Sequence, residues 1–326
     1  MTDWLSNIDA LAGIHPEPAS ADASFRRYFR LQTEQGSFIV MDAPPGQEDC
    51  TSFLRIAGYL EAMQLNAPRI IEADKELGFV LLTDLGPNLY LTALKEEPDS
   101  VDALYADAIR ALATIQNNGA AYQGSLPPYD DQLLRQELSL FRDWLCVTHL
   151  GLNFSANDKL YWQSACEMLI ANALDQPQVF VHRDYHSRNL MLTEKDNPGI
   201  LDFQDAVEGP LTYDLASLLK DCYVSWPAAR VREWALDFYS VLDGNIKSQL
   251  DSDAFLRHFD LMGVQRHLKA AGIFARLNHR DGKPGYMADI PRTLRYIVEL
   301  GPVYEELAYI VNLISEQCLP ALEETP

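Results

Sequence analysis

Short runs of apolar and aromatic residues, bounded by turn formers, occupy 25–31, 37–41 and 78–84, and each reads as a β-strand. Between the last two, Phe53, Ile56, Ala57, Leu60 and Met63 recur at helical spacing, with Thr51 or Ser52 placed to cap the helix. Strand, strand, helix, strand predicts a small β-rich amino-terminal lobe. Leu85-Gly86-Pro87-Asn88 then punctuates the chain as a linker does. Beyond it the spacing turns helical. Val101, Leu104, Tyr105, Ala108, Leu112 and Ile115 share one face behind a cap at Asp99 or Ser100. Further helices are expected near 131–149, 157–174, 211–224, 227–243, 252–278 and 291–318. One β-rich island, at 179–182, 190–193 and 199–203, interrupts them. The expected architecture is α+β and bilobal, with an amino-terminal lobe over 1–86, a larger and mainly helical lobe over 87–326, and a ligand cleft between them.

Composition narrows the partners. The chain has 48% apolar and 22% charged residues, enough for a packed core. Against 47 Asp and Glu stand 26 Lys and Arg, a net charge of -21 that repels nucleic acid and anionic membrane surfaces alike. An anionic nucleotide therefore needs a local concentration of basic side chains and Mg²⁺. The five cysteines are scattered and never form a C-x-x-C pair, as in a reduced cytoplasmic protein without structural zinc. The first ten residues lack the basic and apolar regions of a signal peptide, and no run approaches the length of a membrane span.

The β-rich island carries the chemistry. His182-Arg183-Asp184-Tyr185-His186-Ser187-Arg188-Asn189 fits the catalytic-loop pattern H-R-D-x-x-x-x-N of kinases. Asp202-Phe203-Gln204 fits D-F-G in all but its glycine. Phosphoryl transfer needs a carboxylate to orient the attacking hydroxyl and accept its proton, the role expected of Asp184. Mg²⁺ needs hard oxygen ligands beside the β- and γ-phosphates, expected of Asn189, five positions on, and of Asp202 on the next strand. A lone His-x-Asp in a loop is commonly a turn former; the joint spacing with interleaved apolar strand residues is far more specific. Only a short stretch separates Asp202 from Tyr213-Asp214 and no A-P-E motif follows, so a small-molecule acceptor is expected instead of a peptide.

The run V-H-R-D-Y-H-S-R-N-L-M, G-I-L-D-F-Q-D-A and G-P-L-T-Y-D-L-A resembles the aminoglycoside phosphotransferase family. Within it, S-F-R-R-Y-F-R, V-M-D-A-P-P-G-Q-E-D-C, L-L-T-D-L-G and G-I-F-A-R-L-N-H-R-D-G-K-P resemble the bacterial anomeric kinases of N-acetylmuramate and N-acetylglucosamine, enzymes of peptidoglycan recycling. The resemblance covers nearly the whole chain. It implies the protein-kinase-like fold, ATP and Mg²⁺, a sugar acceptor, and a structural Asp214 that hydrogen-bonds the catalytic loop and supports His182 and Asp184. Asp205 and Glu208 are expected near the acceptor, as are Arg276, His279 and Arg280, a basic cluster in an acidic chain.

Two expected parts are missing. No G-x-G-x-x-G precedes 25–30; Ser20-Ala21-Asp22-Ala23-Ser24 stands there, and Ser24 is a candidate phosphate donor. The strand Phe38-Ile39-Val40-Met41-Asp42 lacks the phosphate-binding lysine, and the first lysine of the chain is Lys75. Arg26, Arg27 or Arg30 is expected to compensate, since a guanidinium fork grips phosphate oxygens bidentately. Adenine is expected against the backbone around Thr83 and Asp84. Two rivals stand beside the sugar kinase: a kinase for another hydroxyl (aminoglycoside, choline or homoserine) and a non-catalytic nucleotide-binding regulator.

Overall fold

The structure is a computed structural model, and it describes residues 1–8, 11–21, 25–34 and 36–324. Its contacts divide the chain into two units, 1–115 with 188–206, and 116–187 with 207–326.

In the first unit, strands β1 (Glu17–Ala21), β2 (Arg27–Thr33), β3 (Gly36–Asp42), β4 (Ile70–Asp74) and β5 (Phe79–Thr83) form one antiparallel sheet in the order β1-β2-β3-β5-β4. β2 and β3 pair over seven residues, from Arg27 opposite Asp42 to Thr33 opposite Gly36. Helix α1 (Thr2–Ser6) brings Trp4 against Phe79, and Leu5, Leu11, Leu31, Val40 and Leu81 form a core there. Helix α2 (Thr51–Ala62) buries Phe53, Ile56, Ala57 and Leu60, the stripe its sequence spacing predicts. Its start differs from expectation: neither Thr51 nor Ser52 caps it, and the Asp49 carboxylate accepts the Thr51 N–H at 2.8 Å. Strands β1 and β4 were not among the expected ones. Both are edge strands; β4 exposes Ile71 and Glu72, so its polar-apolar alternation is weak. Helices α3 (Tyr90–Glu96) and most of α4 (Val101–Asn118) complete this unit with a two-stranded hairpin described below.

The second unit is mainly helical. Helix α5 (Asp131–Leu140) runs on into a π-helical stretch, Phe141–His149, and α6 (Ala156–Leu174) opens on a Ser155–Asp158 capping box. Strand β6 (Gln178–Val181) pairs antiparallel with a later strand, Val207–Pro210. Helix α7 (Tyr213–Leu219) is buried at every position; it is followed by α8 (Ala228–Val241), α9 (Gly244–Lys247) and α10 (Ser252–Asp281). The expected helix over 291–318 is broken, because Gly301-Pro302 ends α11 (Ile290–Leu300). Two short helices, α12 (Ala308–Leu313) and α13 (Leu319–Glu324), close the chain.

Helix α10 organises this unit. Thirty residues give it a length of about 45 Å. Its middle turn buries polar residues, Gln265, Arg266, His267 and Lys269, among apolar ones. Gly272 lets it press on the end of α5: a Cβ there would lie 2.3 Å from the Leu140 carbonyl carbon. No helix among the described residues is long and apolar enough to cross a membrane.

Candidate active site

In the second unit, β6 delivers the chain to His182, and three buried carboxylates hold the loop that follows. Asp214, in the first turn of α7 and wholly buried, accepts the backbone N–H of His182 at 2.6 Å and of Arg183 at 2.9 Å. Burial pushes its carboxyl up to about 7, against the pull of those two N–H groups. Glu137 of α5 accepts from Arg183 Nη2 at 2.6 Å and pairs with Lys269 Nζ at 2.9 Å; the Tyr129 hydroxyl also bonds it. Lys269 donates in turn to the Tyr213 hydroxyl at 2.8 Å. Arg183 lies at φ +78°, a left-handed backbone that a residue with a Cβ adopts at a cost, maintained here by bonds to both its amide and its side chain.

His182 Nδ1 accepts the Asp184 N–H at 3.2 Å, which puts the proton of a neutral ring on Nε2. Asp184 itself sits among Lys269, His186, Arg183 and Arg266. Burial alone would raise its carboxyl, but these cations outweigh it and hold the group below the ordinary carboxylate range. A carboxyl held in that direction carries the negative charge that a proton acceptor needs. The far end of the loop is pinned by Asp221, whose Oδ2 accepts from Ser187 Oγ at 2.5 Å and Ser187 N at 3.0 Å, while its Oδ1 accepts from Tyr223 N at 2.9 Å.

In the first unit, β7 (Leu190–Met191) and β8 (Gly199–Ile200) form the hairpin that carries Asn189 and Asp202. The loop after α2 anchors it, with Ile200 N donating to Asn66 O at 2.8 Å and Asn66 Nδ2 to Thr193 Oγ1 at 3.2 Å. Leu201 N donates to Asn189 O at 2.9 Å, and the side chains meet where Asn189 Nδ2 donates to Asp202 Oδ2 at 3.2 Å. Asp202 also has a left-handed backbone, φ +60°. Phe203 is fully buried against Phe53 of α2, ring centroids 4.9 Å apart. Gln204, in the position of the missing glycine, donates from Nε2 to Asp202 Oδ1 at 2.8 Å. The departure from D-F-G therefore supplies a second donor that fixes the carboxylate. An amide oxygen and a carboxylate, both hard donors side by side on one hairpin, fit a Mg²⁺ ion that takes its other ligands from phosphate and water.

Each of the three candidate arginines has a carboxylate partner. Arg30 donates to Asp84 from Nε at 2.6 Å and Nη2 at 3.2 Å, and to the Gly86 carbonyl at 3.2 Å. Asp84 also accepts from Ser37 Oγ at 2.5 Å and Gly86 N at 2.9 Å, so this pair braces the turn after β5. Thr83 Oγ1 accepts the Arg69 N–H at 2.9 Å. Arg27, largely exposed, pairs with Asp42 across β2 and β3. Arg26, largely buried, lies 3.6 Å from Glu48, just ahead of α2. Ser24 lies outside the described residues.

The expected acceptor-side residues are dispersed. Asp205 is exposed beside Gln204, and Glu208 lies on β9 (Val207–Pro210) opposite Phe180. On α10, Arg276 is half-buried, His279 meets His149 with ring nitrogens 3.0 Å apart, and Arg280 is clasped by Asp281 at 2.8 and 2.9 Å. The helix rise puts Arg280 about 16 Å along the axis from Lys269. Glu137, Lys269, Asp221 and Gln204 were not foreseen. The one sequence signal for Lys269, a cluster of polar residues within an apolar helix, looks like any solvated face.

Comparison with known proteins agrees with this geometry. A family model described as phosphotransferase enzyme family matches residues 15–247. The N-acetylmuramate/N-acetylglucosamine kinase of Pseudomonas aeruginosa is 49% identical over 300 residues, covering 91% of this chain and 87% of its own. That of Pseudomonas putida is 50% identical over 299 residues, with the same shares. Among solved structures, an ethanolamine kinase of Plasmodium vivax shares the fold at a TM-score of 0.62 and 11% identity, over 88% of this chain and 83% of its own. An H-R-D loop held on three buried carboxylates, a paired Asn and Asp at the ends of the following hairpin, and a family match over most of the chain converge: this protein belongs to the phosphotransferase enzyme family.

Proposed function

We propose that this protein is an ATP-dependent kinase that phosphorylates the anomeric hydroxyl of N-acetylmuramate and N-acetylglucosamine, as a step of peptidoglycan recycling. What carries this reading is the place of Asp184, beside Arg183, Lys269 and Arg266 on a loop that cannot shift without breaking its bonds to Asp214. The relatives of that name, half identical over nine-tenths of the chain, support the acceptor. Asp184 accepts the proton of the sugar hydroxyl while its oxygen bonds to the γ-phosphorus and the bond to ADP breaks. Asn189 and Asp202 would hold Mg²⁺, which when bound supplies positive charge against the phosphate oxygens.

In place of the absent strand lysine we propose Arg26. Its pairing with Glu48 at the approach to α2 parallels the Lys–Glu ion pair of protein kinases, whereas Arg27 and Arg30 serve β-strand and turn contacts. Nucleotide-binding residues then lie within 1–86 and catalytic and acceptor-binding residues within 87–326. On the acceptor side the proposal keeps Arg276 with Asp205 and Glu208; His279 and Arg280 already engage His149 and Asp281. The reading puts the protein in the cytoplasm, where ATP is at hand, and the five free, buried cysteines accord with it.

The test is incubation with Mg·ATP and each sugar, followed by phosphorus NMR. A 1-phosphate product is expected, and blocking the anomeric oxygen as a methyl glycoside should stop the reaction. Phosphorylation of aminoglycosides, choline or homoserine with neither sugar accepted would overturn the acceptor; tight Mg·ATP binding without turnover on any of them would favour a regulator.

A further inference from the structure

Arg266, in the middle of α10, is 6% exposed, and its Nε and Nη1 are fully buried without a hydrogen-bond partner. A guanidinium stays charged at any physiological pH. A buried cation with unmet donors is a cost the fold bears alone, and such groups are normally paired. Other basic side chains around the catalytic loop each have a carboxylate partner: Arg183 and Lys269 on Glu137, Lys220 on Asp260 at 2.7 Å, Arg292 on Asp289 at 2.9 Å. The neighbours of Arg266 are Cys222, whose thiol is a weak acceptor, Tyr213, Asp184 and Asp221. Asp221 also fixes Tyr223, whose ring lies 5.6 Å from that of His186 and 6.2 Å from that of Phe274. A row of rings therefore links the catalytic loop to α10.

We propose that Arg266 is a specificity-determining residue that receives the lactyl carboxylate of N-acetylmuramate. This rests on the reading of the site as an anomeric sugar kinase. The two acceptors differ in that carboxylate: muramate carries it, and N-acetylglucosamine has a neutral hydroxyl at the same carbon. In a chain of net charge -21 an anionic sugar needs a local cation, and a guanidinium fork matches a carboxylate bidentately. Arg266 belongs to the unit that holds Asp184, the acceptor's proton acceptor, and not to the one that holds Asn189 and Asp202. An acceptor carboxylate is therefore favoured over a nucleotide phosphate as its partner.

The experiment compares kcat/KM for both sugars, and for the lactyl amide of N-acetylmuramate, in wild type, Arg266→Gln and Arg266→Lys. Arg266→Gln also takes a positive charge away from Asp184, so turnover of both sugars is expected to fall, with N-acetylmuramate losing at least ten-fold more than N-acetylglucosamine. The wild-type preference for the acid over its amide should vanish in the variant. Turnover of N-acetylglucosamine reports that the variant is folded, and Arg266→Lys, which keeps the buried charge but not the fork, should lose in the same direction if Arg266→Gln does not fold. Equal losses on both sugars, no loss on either, or equal wild-type use of acid and amide would each overturn the proposal. Failure of wild type on both sugars would instead overturn the function it rests on.

Discussion

Asp214 accepts the backbone N–H of His182 at 2.6 Å, although 32 residues separate them. With the second bond, to Arg183 N at 2.9 Å, one buried carboxylate satisfies the two amides that lead into Asp184. Truncation by Asp214→Ala leaves both buried donors unmet, at a cost of about 1–3 kcal/mol each. We expect a clear fall in stability by urea denaturation together with a loss of kcat, while Asp214→Asn, which keeps one acceptor oxygen, should lose less of both. Wild-type stability in the alanine variant would show that the loop is held elsewhere.

Asp184→Asn should lower kcat by about 10²–10⁴-fold, the range a general base contributes, and leave ATP affinity within a few-fold. Single-turnover kinetics and isothermal titration separate the two effects. Retention of a tenth of wild-type turnover would remove Asp184 from the proton-transfer role.

The three arginines in and just before β2 should behave differently. Arg26→Ala is expected to weaken ATP binding by about ten- to a hundred-fold, the loss of a charge-assisted contact. Arg27→Ala, at an exposed strand pair, should change it little. Arg30→Ala should chiefly lower the melting temperature, because it unties Asp84 from β2 and from the Gly86 carbonyl. Nucleotide titration and thermal denaturation of all three variants check this; unchanged ATP affinity in Arg26→Ala would move the phosphate contact to another residue.

His267 predicts a pH dependence of stability. Its ring is buried, stacks on Tyr296 with centroids 4.8 Å apart, and lies 2.8 Å from the Lys220 carbonyl. Burial pushes it down to about 3 from an ordinary value near 6.5. The unfolded chain therefore takes up the proton first, so the stability due to neutral His267 is intact above about pH 6.5 and is lost as pH falls towards 3. Going from pH 7 to 5 should cost about 2 kcal/mol through this residue. In His267→Gln, which still donates to Lys220 but does not titrate, the fall between those pH values should be smaller by that amount. Parallel curves for the two proteins would assign the acid sensitivity to other groups.

The hairpin that pairs Asn189 with Asp202 was legible along the chain, because its geometry is local. Asn189 just precedes β7 and Asp202 just follows β8, so their spacing reflects the reach of a short hairpin. The core stripe of α2 was legible for the same reason, since a helical face repeats within a few residues. Edge strands β1 and β4 were not, because a strand paired on one side alone need not alternate. Partner choice was also closed to sequence. Arg26, Arg27 and Arg30 look equivalent in S-F-R-R-Y-F-R, and only packing assigned them to Glu48, Asp42 and Asp84 among 47 acidic residues. Glu137, Asp214, Asp221 and Lys269 reach the catalytic loop from three other segments, up to 85 positions away along the chain from Lys269 to Asp184. Which carboxylates lie beneath the loop depends on how α5, α7 and α10 pack, and that packing is a property of the folded unit that no local spacing records.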